Sequence, residues 1–464
     1  MLRPFLLILA SLIAYSNSFH AALVFDGPAL TFEDKRVASA DVGKILTTNY
    51  WGSRFDSGLY RPVTTLSFAA DYAGSGSDPY GYHVTNFSIH AAAVFAAYLF
   101  LSSMIGAPLA FWAALLWAVH PINTDAVTQI AGRADLISAL CVFLGLWLYR
   151  RGNIAALAAV ATVGMFSKES AVMLLFGAIL CDAWCRQKPK VSGLVAIAAP
   201  TLLSAIAHLW FPMAHSFVDN PLQGAGFIPS HLTALSVLGK MVGLWFIPAG
   251  LSADYSFSQI PVSASVSVSA VLVVLFAAFA VLKFRTRAGF FAAFFLLAIL
   301  PTSNLIVTSG SIAAERFIYL PGIGLAAVVA IELHGLLGKH APLALASIAL
   351  AFGFSAFARN QDYRNPLAFW RATAAASPNS FKARSQYAAE LFEVGNTGTA
   401  VHEIDRAVLI LRGVPVKDQP ILTWQQAAQY YAVVGRDEDS HKALGMVADI
   451  LNSHIKKEKQ CKRR

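Results

Sequence analysis

Residues 87–125 read FSIHAAAVFAAYLFLSSMIGAPLAFWAALLWAVHPINTD, two apolar runs that are separated by a short break and end in a polar cluster. Apolar runs of roughly 15 to 22 residues can cross a hydrocarbon core of about 30 Å as helices. Similar runs recur along the chain, in which 56% of the residues are hydrophobic and only 13% are charged. This balance excludes an ordinary soluble domain and predicts an all-α, polytopic membrane protein.

Eleven apolar segments are predicted to be membrane helices. They lie near residues 5–24, 87–104, 107–120, 135–149, 153–167, 169–184, 191–211, 262–282, 288–306, 317–336 and 341–358. The first segment, preceded by Arg3, also has features of a cleaved signal peptide. We favour an uncleaved helix, because no clear small-x-small site precedes the acidic stretch that follows.

Lysines and arginines collect in a few connections, which the positive-inside rule places in the cytoplasm. These connections contain Arg150–Arg151, Arg186 with Lys188 and Lys190, Lys283 with Arg285 and Arg287, and Lys339. The other connections then face outward, including the long loop 25–86. The ambiguous stretch 231–249 must be re-entrant or lie along the membrane surface, since a full crossing would put Lys283 outside. Lys240 near its middle supports a segment that does not cross bare lipid.

The composition changes to that of a soluble domain after about residue 359. We therefore predict a membrane domain over 1–358, a tetratricopeptide-repeat domain over 359–455 and a basic tail over 456–464. The repeat pattern places Ala388, Leu391, Gly395, Ala400, Ile404 and Ala407 in one unit, and Trp424, Ala428, Tyr431, Gly435 and Leu444 in the next. Such an array forms a peptide-binding groove or a structural cap, and both remain open. The tail is predicted to be solvated, with contact to anionic lipid as the alternative.

The four cysteines indicate neither a disulfide framework nor a cofactor. Cys181 and Cys185 have helical spacing that would suit a metal, but thiols facing the core or lipid are the favoured interpretation. We predict no metal and no cofactor.

Acids stand beside bases in several outward clusters, namely Arg133-Ala134-Asp135, Lys168-Glu169 and Glu315-Arg316. Charges near lipid are costly when they lack a purpose, so the recurrence indicates a site. Asp26 lies just after the first predicted helix, beside Phe25 and Gly27. Partial burial there would raise the proton affinity of its carboxylate toward that of a general base. The alternative is an interfacial Asp that ends a helix.

Four cations on the same face are candidate phosphate partners, since Arg binds phosphate through a fork and Lys as a point charge. They are Arg61, Arg133, Lys168 and Arg316, with His83, His120, Asp125, Asp135, Glu169 and Glu315 as supporting residues. Each is alternatively an ion pair or a charge at a helix end. A lipid-phosphate-linked sugar fits these groups, because a neutralised phosphate leaves without an acid and only one base is needed.

The order of the motifs resembles that of the transmembrane and tetratricopeptide-repeat O-mannosyltransferases and their bacterial relatives. The motifs are Phe25-Asp26, 49–52 (NYWG), 60–68 (YRPVTTLSF), 81–86 (GYHVTN), 89–91 (IHA), 120–127 (HPINTDAV), 132–136 (GRADL), 167–169 (SKE), 219–221 (DNP), 251–255 (LSADY) and 315–321 (ERFIYLP). The resemblance implies a C-type glycosyltransferase fold for the membrane domain and a polyprenyl or dolichyl phosphate sugar as donor. It also implies transfer of mannose to Ser or Thr without a metal.

The chain departs from the family pattern at two points. Gly27 stands where the family has a second acid, so a carboxylate pair requires Glu33 or Asp34 to fold back. The repeat array is also shorter than in the eukaryotic members, which makes a protein acceptor less secure than the donor class.

The sequence therefore predicts a membrane glycosyltransferase with Asp26 as base, moving a hexose such as mannose with inversion. Its expected partners are a lipid-linked donor, an exported protein (through Ser or Thr) or glycan acceptor, and membrane lipids, with no nucleic acid. The expected location is a bacterial inner membrane, with the long loop and the repeats in the periplasm. The alternative is a non-catalytic scaffold whose repeats recruit partners for envelope assembly. Deleting 365–464 is expected to spare donor binding in an enzyme and to abolish the function of a scaffold.

Overall fold

The structure is a computed structural model that describes residues 2–54, 57–211 and 216–461, with side chains up to residue 455. Every regular element in these ranges is helical, which confirms the all-α class. The chain begins with α1 (Leu2–Tyr15), and the long loop that follows contains α2 (Gly27–Leu30), α3 (Lys35–Ala38), α4 (Val42–Thr47) and α5 (Pro62–Ser75).

Twelve further helices build the apolar part of the described chain. They are α6 (Pro79–Ile105), α7 (Ala107–Ala118), α8 (Thr124–Val127), α9 (Arg133–Arg151), α10 (Ile154–Met165), α11 (Met173–Cys185), α12 (Val191–His208), α13 (Phe227–Phe246), α14 (Val268–Leu282), α15 (Arg287–Ile299), α16 (Gly322–Leu337) and α17 (Ala341–Asn360). Each of the eleven predicted ranges overlaps one of these helices or α1. The number of membrane crossings stays a prediction.

Several helices are long and apolar enough to cross a bilayer. They are Pro79–Ile105, Ile130–Arg151, Val191–His208, Phe227–Phe246 and the continuous segment Gly322–Tyr363. Shorter apolar helices, such as α1, α7 and α14, pack among or beside them. The protein is thus an integral membrane protein.

The helix α1 ends earlier than the predicted range 5–24. The chain turns after Tyr15, where the hydroxyls of Ser16 and Ser18 donate to the carbonyls of Ile13 and Tyr15. Short polar side chains compete in this way with the helical hydrogen bonds of the backbone. The turn brings residues 21–26 to the surface that carries the candidate site.

The basic connections lie together at one end of the bundle. Lys190 Nζ donates to the carbonyls of Tyr149 and Arg150, at 3.2 and 2.9 Å. Arg285 donates to the carbonyl of Ala183 at 2.7 Å. These contacts join three of the connections that were predicted to be cytoplasmic. Their common location agrees with the expected orientation, which itself stays a prediction.

Both ends of α13 contact the opposite end of the bundle. Near its start, Thr233 donates to the carbonyl of Ser263, and Ser236 lies 2.6 Å from Ser267, just before α14. Near its end, the carbonyl of Trp245 accepts a hydrogen bond from His120 at 2.7 Å. The helix α13 is long and apolar enough to span a bilayer. Whether it crosses, re-enters or lies along the membrane surface stays a prediction.

The helices α15 and α16 pack closely at Gly324. A Cβ atom at this position would lie 2.6 Å from the Phe291 carbonyl oxygen and 3.0 Å from Phe295 Cβ. Small residues allow apolar helices to pack at such short distances. Gly324 therefore fixes the spacing of the two helices that flank the outward loop 300–321.

The carboxy-terminal region consists of helical hairpins. Its helices are α18 (Pro366–Ala376), α19 (Phe381–Glu393), α20 (Thr397–Leu411), α21 (Ile421–Val433) and α22 (Asp437–Cys461). Gly395 and Gly435 lie in the turns between paired helices with φ of 79° and 76°, a conformation that favours glycine. The small residues Ala388, Ala400 and Ala407 are fully buried between helices, as the pattern predicts.

One repeat position was wrong. Leu444 is 51% exposed, and its neighbour Ala443 is buried instead, so the pattern was placed one residue too late in α22. The identity of the hairpins as tetratricopeptide repeats stays a prediction, as do the domain boundaries. The predicted boundary at 358 falls within the last turn of α17. The predicted basic tail starts inside α22, and residues 462–464 lie outside the described residues.

We expect Gly324→Ala to lower the free energy of unfolding by about 1 to 3 kcal/mol, because the new methyl group displaces α15 from α16. The thermal midpoint should fall accordingly. The matched control is Gly335→Ala in the same helix, where no atom lies within 4 Å of the new Cβ. This control should be neutral or stabilising by up to about 1 kcal/mol, because Ala favours helix. Thermal unfolding in detergent, followed by tryptophan fluorescence, measures both. Equal midpoints for the two variants would contradict the close approach.

Candidate active site

The loop before Asp26 has a strained backbone conformation. Phe25 has φ of 57°, in the left-handed region that an aromatic residue rarely adopts. Its ring packs on Trp370 and Phe369 of α18, with centroids 5.6 and 6.3 Å away. The amide of Ala22 also donates to the carbonyl of Tyr363 at 2.9 Å. These contacts hold the chain in a conformation that it would not adopt alone, and Asp26 follows immediately.

The Asp26 carboxylate is half-buried and accepts no hydrogen bond from any described residue. Burial raises the pKa of Asp26, whereas the positive charges of Arg316 and Lys382 act to lower it. The negative charges of Asp219 and Asp125 act in the same direction as burial. The result is a raised pKa, as the sequence predicted. A free carboxylate with raised proton affinity can act as a general base.

Arg316 is the least restrained of the predicted cations. Its backbone amide donates to Asp125 Oδ2 at 3.0 Å, but its Nη1 lies 3.5 Å from the same oxygen. Its other guanidinium nitrogens have no partner among the described residues, and the side chain is 17% exposed. The guanidinium therefore keeps donors available, and its charge acts on the unpaired Asp26 carboxylate.

Arg61 and Lys168 lie close enough to Arg316 for their charges to interact with it. Each of the two forms an ion pair with an acid. Arg61 donates to both carboxylate oxygens of Glu169, at 3.1 and 2.7 Å. Lys168 Nζ lies 2.5 Å from Asp135 Oδ1 and 5.5 Å from the centre of the Phe317 ring. The structure thus brings together three of the four predicted cations, with an acid beside each.

Arg133, the fourth cation, lies in a different environment. It is fully buried, and its guanidinium donates to Asn86 Oδ1 and to the carbonyls of Ser67 and Tyr82. It also forms an ion pair of 2.5 Å with Asp71. Every guanidinium nitrogen has a protein partner, so the arrangement favours a structural role for Arg133.

The two predicted histidines connect backbone segments. His83 Nε2 donates to the carbonyl of Ala21 at 2.9 Å, which ties α6 to the loop before Asp26. His120 accepts from the amide of Ile122 and donates to the carbonyl of Trp245, whose ring stacks on it at 4.9 Å. Both rings are buried. They support the loops around the site.

Glu315 is buried beside the loop 251–255. It accepts hydrogen bonds from the amide of Ser252 at 2.5 Å and from the hydroxyl of Tyr255 at 2.7 Å. Burial raises the pKa of Glu315 to about 7. The four supporting acids Asp125, Asp135, Glu169 and Glu315 all have hydrogen-bond or ion-pair partners, in contrast to Asp26.

The structure provides no second carboxylate from the segment just after Gly27. Glu33 pairs with Arg54 at 3.0 Å, and Asp34 caps α3 and pairs with Arg36 at 2.6 Å. Neither residue folds back beside Asp26. The carboxylates that do act on Asp26 are Asp125 and Asp219, from other loops.

Two further residues were missed by the sequence analysis. Tyr50 is 4% exposed, its hydroxyl has no partner among the described residues, and its ring centre lies 5.1 Å from the Arg61 guanidinium carbon. Its position within the motif 49–52 was the available signal. Lys382, at the start of α19, pairs with Asp219 at 2.5 Å and lies 3.7 Å from Asp254. No local signal indicated Lys382, because it lies within the predicted repeats.

The fold defines an integral membrane protein, and these charges form a candidate acid-and-base site at one end of its helix bundle. No protein-family model matches the chain. Among curated proteins it is similar to protein O-mannosyl-transferases: Tmtc1 of Drosophila melanogaster (32% identity over 183 residues, 37% of this chain), F38B6.6 of Caenorhabditis elegans (26% over 411 residues, 81%) and TMTC4 of Homo sapiens (25% over 477 residues, 84%). These similarities confirm the resemblance inferred from the motifs.

The chain spans only 21%, 58% and 64% of the lengths of these three relatives. Among solved structures, it is similar to the crystal structure of ArnT from Cupriavidus metallidurans bound to undecaprenyl phosphate. The TM-score is 0.41 at 16% sequence identity, and the match covers 92% of this chain and 76% of ArnT.

We expect Arg133→Gln to destabilise the protein by about 3 to 5 kcal/mol, because it leaves the carboxylate of Asp71, which is only 12% exposed, without its cation. The control Arg54→Gln breaks an ion pair whose side chains are 41% and 46% exposed, and should change stability by about 1 kcal/mol or less. Thermal midpoints in detergent test both expectations. A stable Arg133→Gln variant with weakened donor binding would instead support the phosphate-binding role.

Proposed function

We propose that this protein is a membrane glycosyltransferase that moves a hexose such as mannose from a polyprenyl phosphate donor to a hydroxyl group. The proposed acceptor is Ser or Thr of an exported protein. The names of the relatives support this class of activity. We further propose a C-type glycosyltransferase fold and a site that faces away from the cytoplasm, at the end of the bundle opposite the basic connections.

In the proposed reaction, Asp26 accepts the proton of the acceptor hydroxyl while its oxygen attacks the anomeric carbon of the donor. The bond between this carbon and the phosphate oxygen breaks, and the polyprenyl phosphate leaves with the electron pair. Attack from the opposite side inverts the configuration, as in other single displacements at a sugar carbon. The leaving phosphate needs cations rather than an acid.

The observation that carries this proposal is that Asp26 and Arg316 are less completely paired than the neighbouring charged residues. Among the described residues, the Asp26 carboxylate has no hydrogen-bond partner and the Arg316 side chain has one long contact, whereas the neighbouring charges are paired. An unpaired acid and a nearly free guanidinium in one half-buried site are costly unless they serve a ligand. A phosphate on Arg316 and a hydroxyl on Asp26 would satisfy both.

The other predicted cations contribute to different extents in the proposed reaction. Lys168 and Arg61 add positive potential for the departing phosphate, although each already has an acid beside it. The free hydroxyl of Tyr50 beside Arg61 is a further donor for the phosphate or the sugar. Arg133 is left out, because its donors are already occupied.

The proposed space for an acceptor lies beside the loop 217–225, which contains Asp219. A cavity of about 760 Å³ opens between the loops 217–225 and 257–262 and the segment 415–418. Its lining is mostly apolar and includes Phe217, Phe257 and Ile260. This volume is within the range of ligand sites and suits a short stretch of polypeptide. The scaffold alternative accounts for the carboxy-terminal helices but leaves the unpaired Asp26 without a role.

We expect Asp26→Asn to reduce sugar transfer from a polyprenyl phosphate donor by about 10²-fold or more, because the amide cannot accept the proton. Donor binding and the thermal midpoint should be preserved, since the wild-type carboxylate has no hydrogen bonds to lose. The control Glu33→Gln changes an exposed acid in the same loop and should leave transfer unchanged. Full transfer by Asp26→Asn would contradict the proposed catalytic role.

The rate of transfer should fall as the pH is lowered through the pKa of Asp26, because only the ionised carboxylate accepts a proton. Burial raises this pKa, so the acid limb of kcat/KM should lie above the value of about 3.9 for free aspartic acid. Burial raises the pKa of Glu315 to about 7, so the acid limb needs a control at this residue. In Glu315→Gln the amide oxygen still accepts both hydrogen bonds, and the limb should persist. Its disappearance in this variant would assign the limb to Glu315.

A further inference from the structure

We propose that Lys382 is a positioning residue of the site, and that its ammonium group, held by Asp219 and Asp254, sets the electrostatic environment of Asp26. The carboxy-terminal helices would then complete the site rather than form a separate module. This inference rests on the proposed role of Asp26 as the base.

The ammonium group of Lys382 has a fixed location. Its Nζ lies 2.5 Å from Asp219 Oδ1 and 3.7 Å from Asp254 Oδ1. Asp254 is itself held by hydrogen bonds from the hydroxyls of Ser256 and Ser380, at 2.6 and 2.5 Å. A lysine held between two carboxylates, one of them anchored, loses freedom that a surface lysine has. Its charge therefore acts on the site from a constant position.

The turn before α19 is also attached to the outward loops. The hydroxyl of Ser377 lies 2.7 Å from both Ser252 Oγ and the carbonyl oxygen of Asp254. Ser252 in turn donates its amide hydrogen to Glu315, next to Arg316. A chain of short contacts thus connects the start of α19 to the predicted phosphate partner.

A buried apolar cluster joins α18 to the loop of Asp26. Val24 and Phe25 pack with Tyr363, Phe369 and Trp370, and the last three are almost fully buried. This contact holds the left-handed conformation of Phe25. We therefore expect deletion of 365–464 to disturb the loop of Asp26, because the deletion removes both this support and Lys382. The effect of the deletion on donor binding stays a prediction.

The charges around Asp26 shift its pKa in opposite directions, which makes the proposal testable. Burial raises the pKa of Asp26, Arg316 and Lys382 lower it, and Asp219 and Asp125 raise it. Lys382 and Asp219 are partners in one ion pair, yet they act on Asp26 in opposite directions. If the pair were only structural, loss of either partner would have the same consequence. If it acts on Asp26, the two losses shift its titration in opposite directions.

The test is the pH dependence of kcat/KM for the full chain in detergent or nanodiscs, with a polyprenyl phosphate sugar as substrate. Lys382→Gln should move the acid limb to higher pH by about half a unit or more, because it removes a cation. Asp219→Asn should move the limb to lower pH, because it removes an anion and leaves Lys382 in place. Lys382→Arg should keep the wild-type limb. The control Lys442→Gln, on the exposed face of α22, should change nothing.

Limb shifts of the same sign in Lys382→Gln and Asp219→Asn, or unmoved limbs in both, would overturn the inference. Thermal midpoints identify a variant that fails to fold, and Asp219→Asn still tests the sign if Lys382→Gln is such a variant. The Asp26→Asn variant separates this inference from the proposed function. An inactive Asp26→Asn with unmoved limbs refutes only the role of Lys382, whereas an active Asp26→Asn refutes the role of Asp26 as base.

Discussion

The cost of burying charge at the edge of a membrane domain governs the arrangement of this structure. An ionised group that leaves water needs a partner of opposite charge or a set of hydrogen bonds. Arg61, Lys168 and Arg133 meet this need with acids from other segments of the chain. These pairs fasten the outward loops to the helix ends. They also make Asp26 distinctive, because its carboxylate lies in the same region without a partner.

The contacts of the carboxy-terminal helices bear on whether these helices form a separate module. A carboxy-terminal array that follows a membrane domain would ordinarily be regarded as a separate module. Here Phe369 and Trp370 hold the strained backbone of Phe25, and Lys382 brings a charge to the loops around Asp26. The environment of the proposed base therefore depends on residues more than 340 positions away in the sequence.

Much of the fold follows from local pattern. Apolar runs of membrane length and glycines between helical segments are visible in the sequence, because each reflects a requirement of a single helix or turn. The early end of α1 was not visible, since it depends on serine hydroxyls that bond back to the chain. The one-residue error at Leu444 has a similar origin: the choice of buried face is made by the neighbouring helix and not by the pattern alone.

The sequence by itself determined the class of the protein and its similarity to the O-mannosyl-transferases, and it predicted Asp26 as the base, because composition, motif order and the residues beside an acid can all be read along the chain. Only the tertiary structure decided which charges are free and which are paired. It gave Arg133 a buried network, left Arg316 nearly free and brought Lys382 to the site. Electrostatic partners are set by distance in space, and for these residues that distance bears no relation to their separation along the chain.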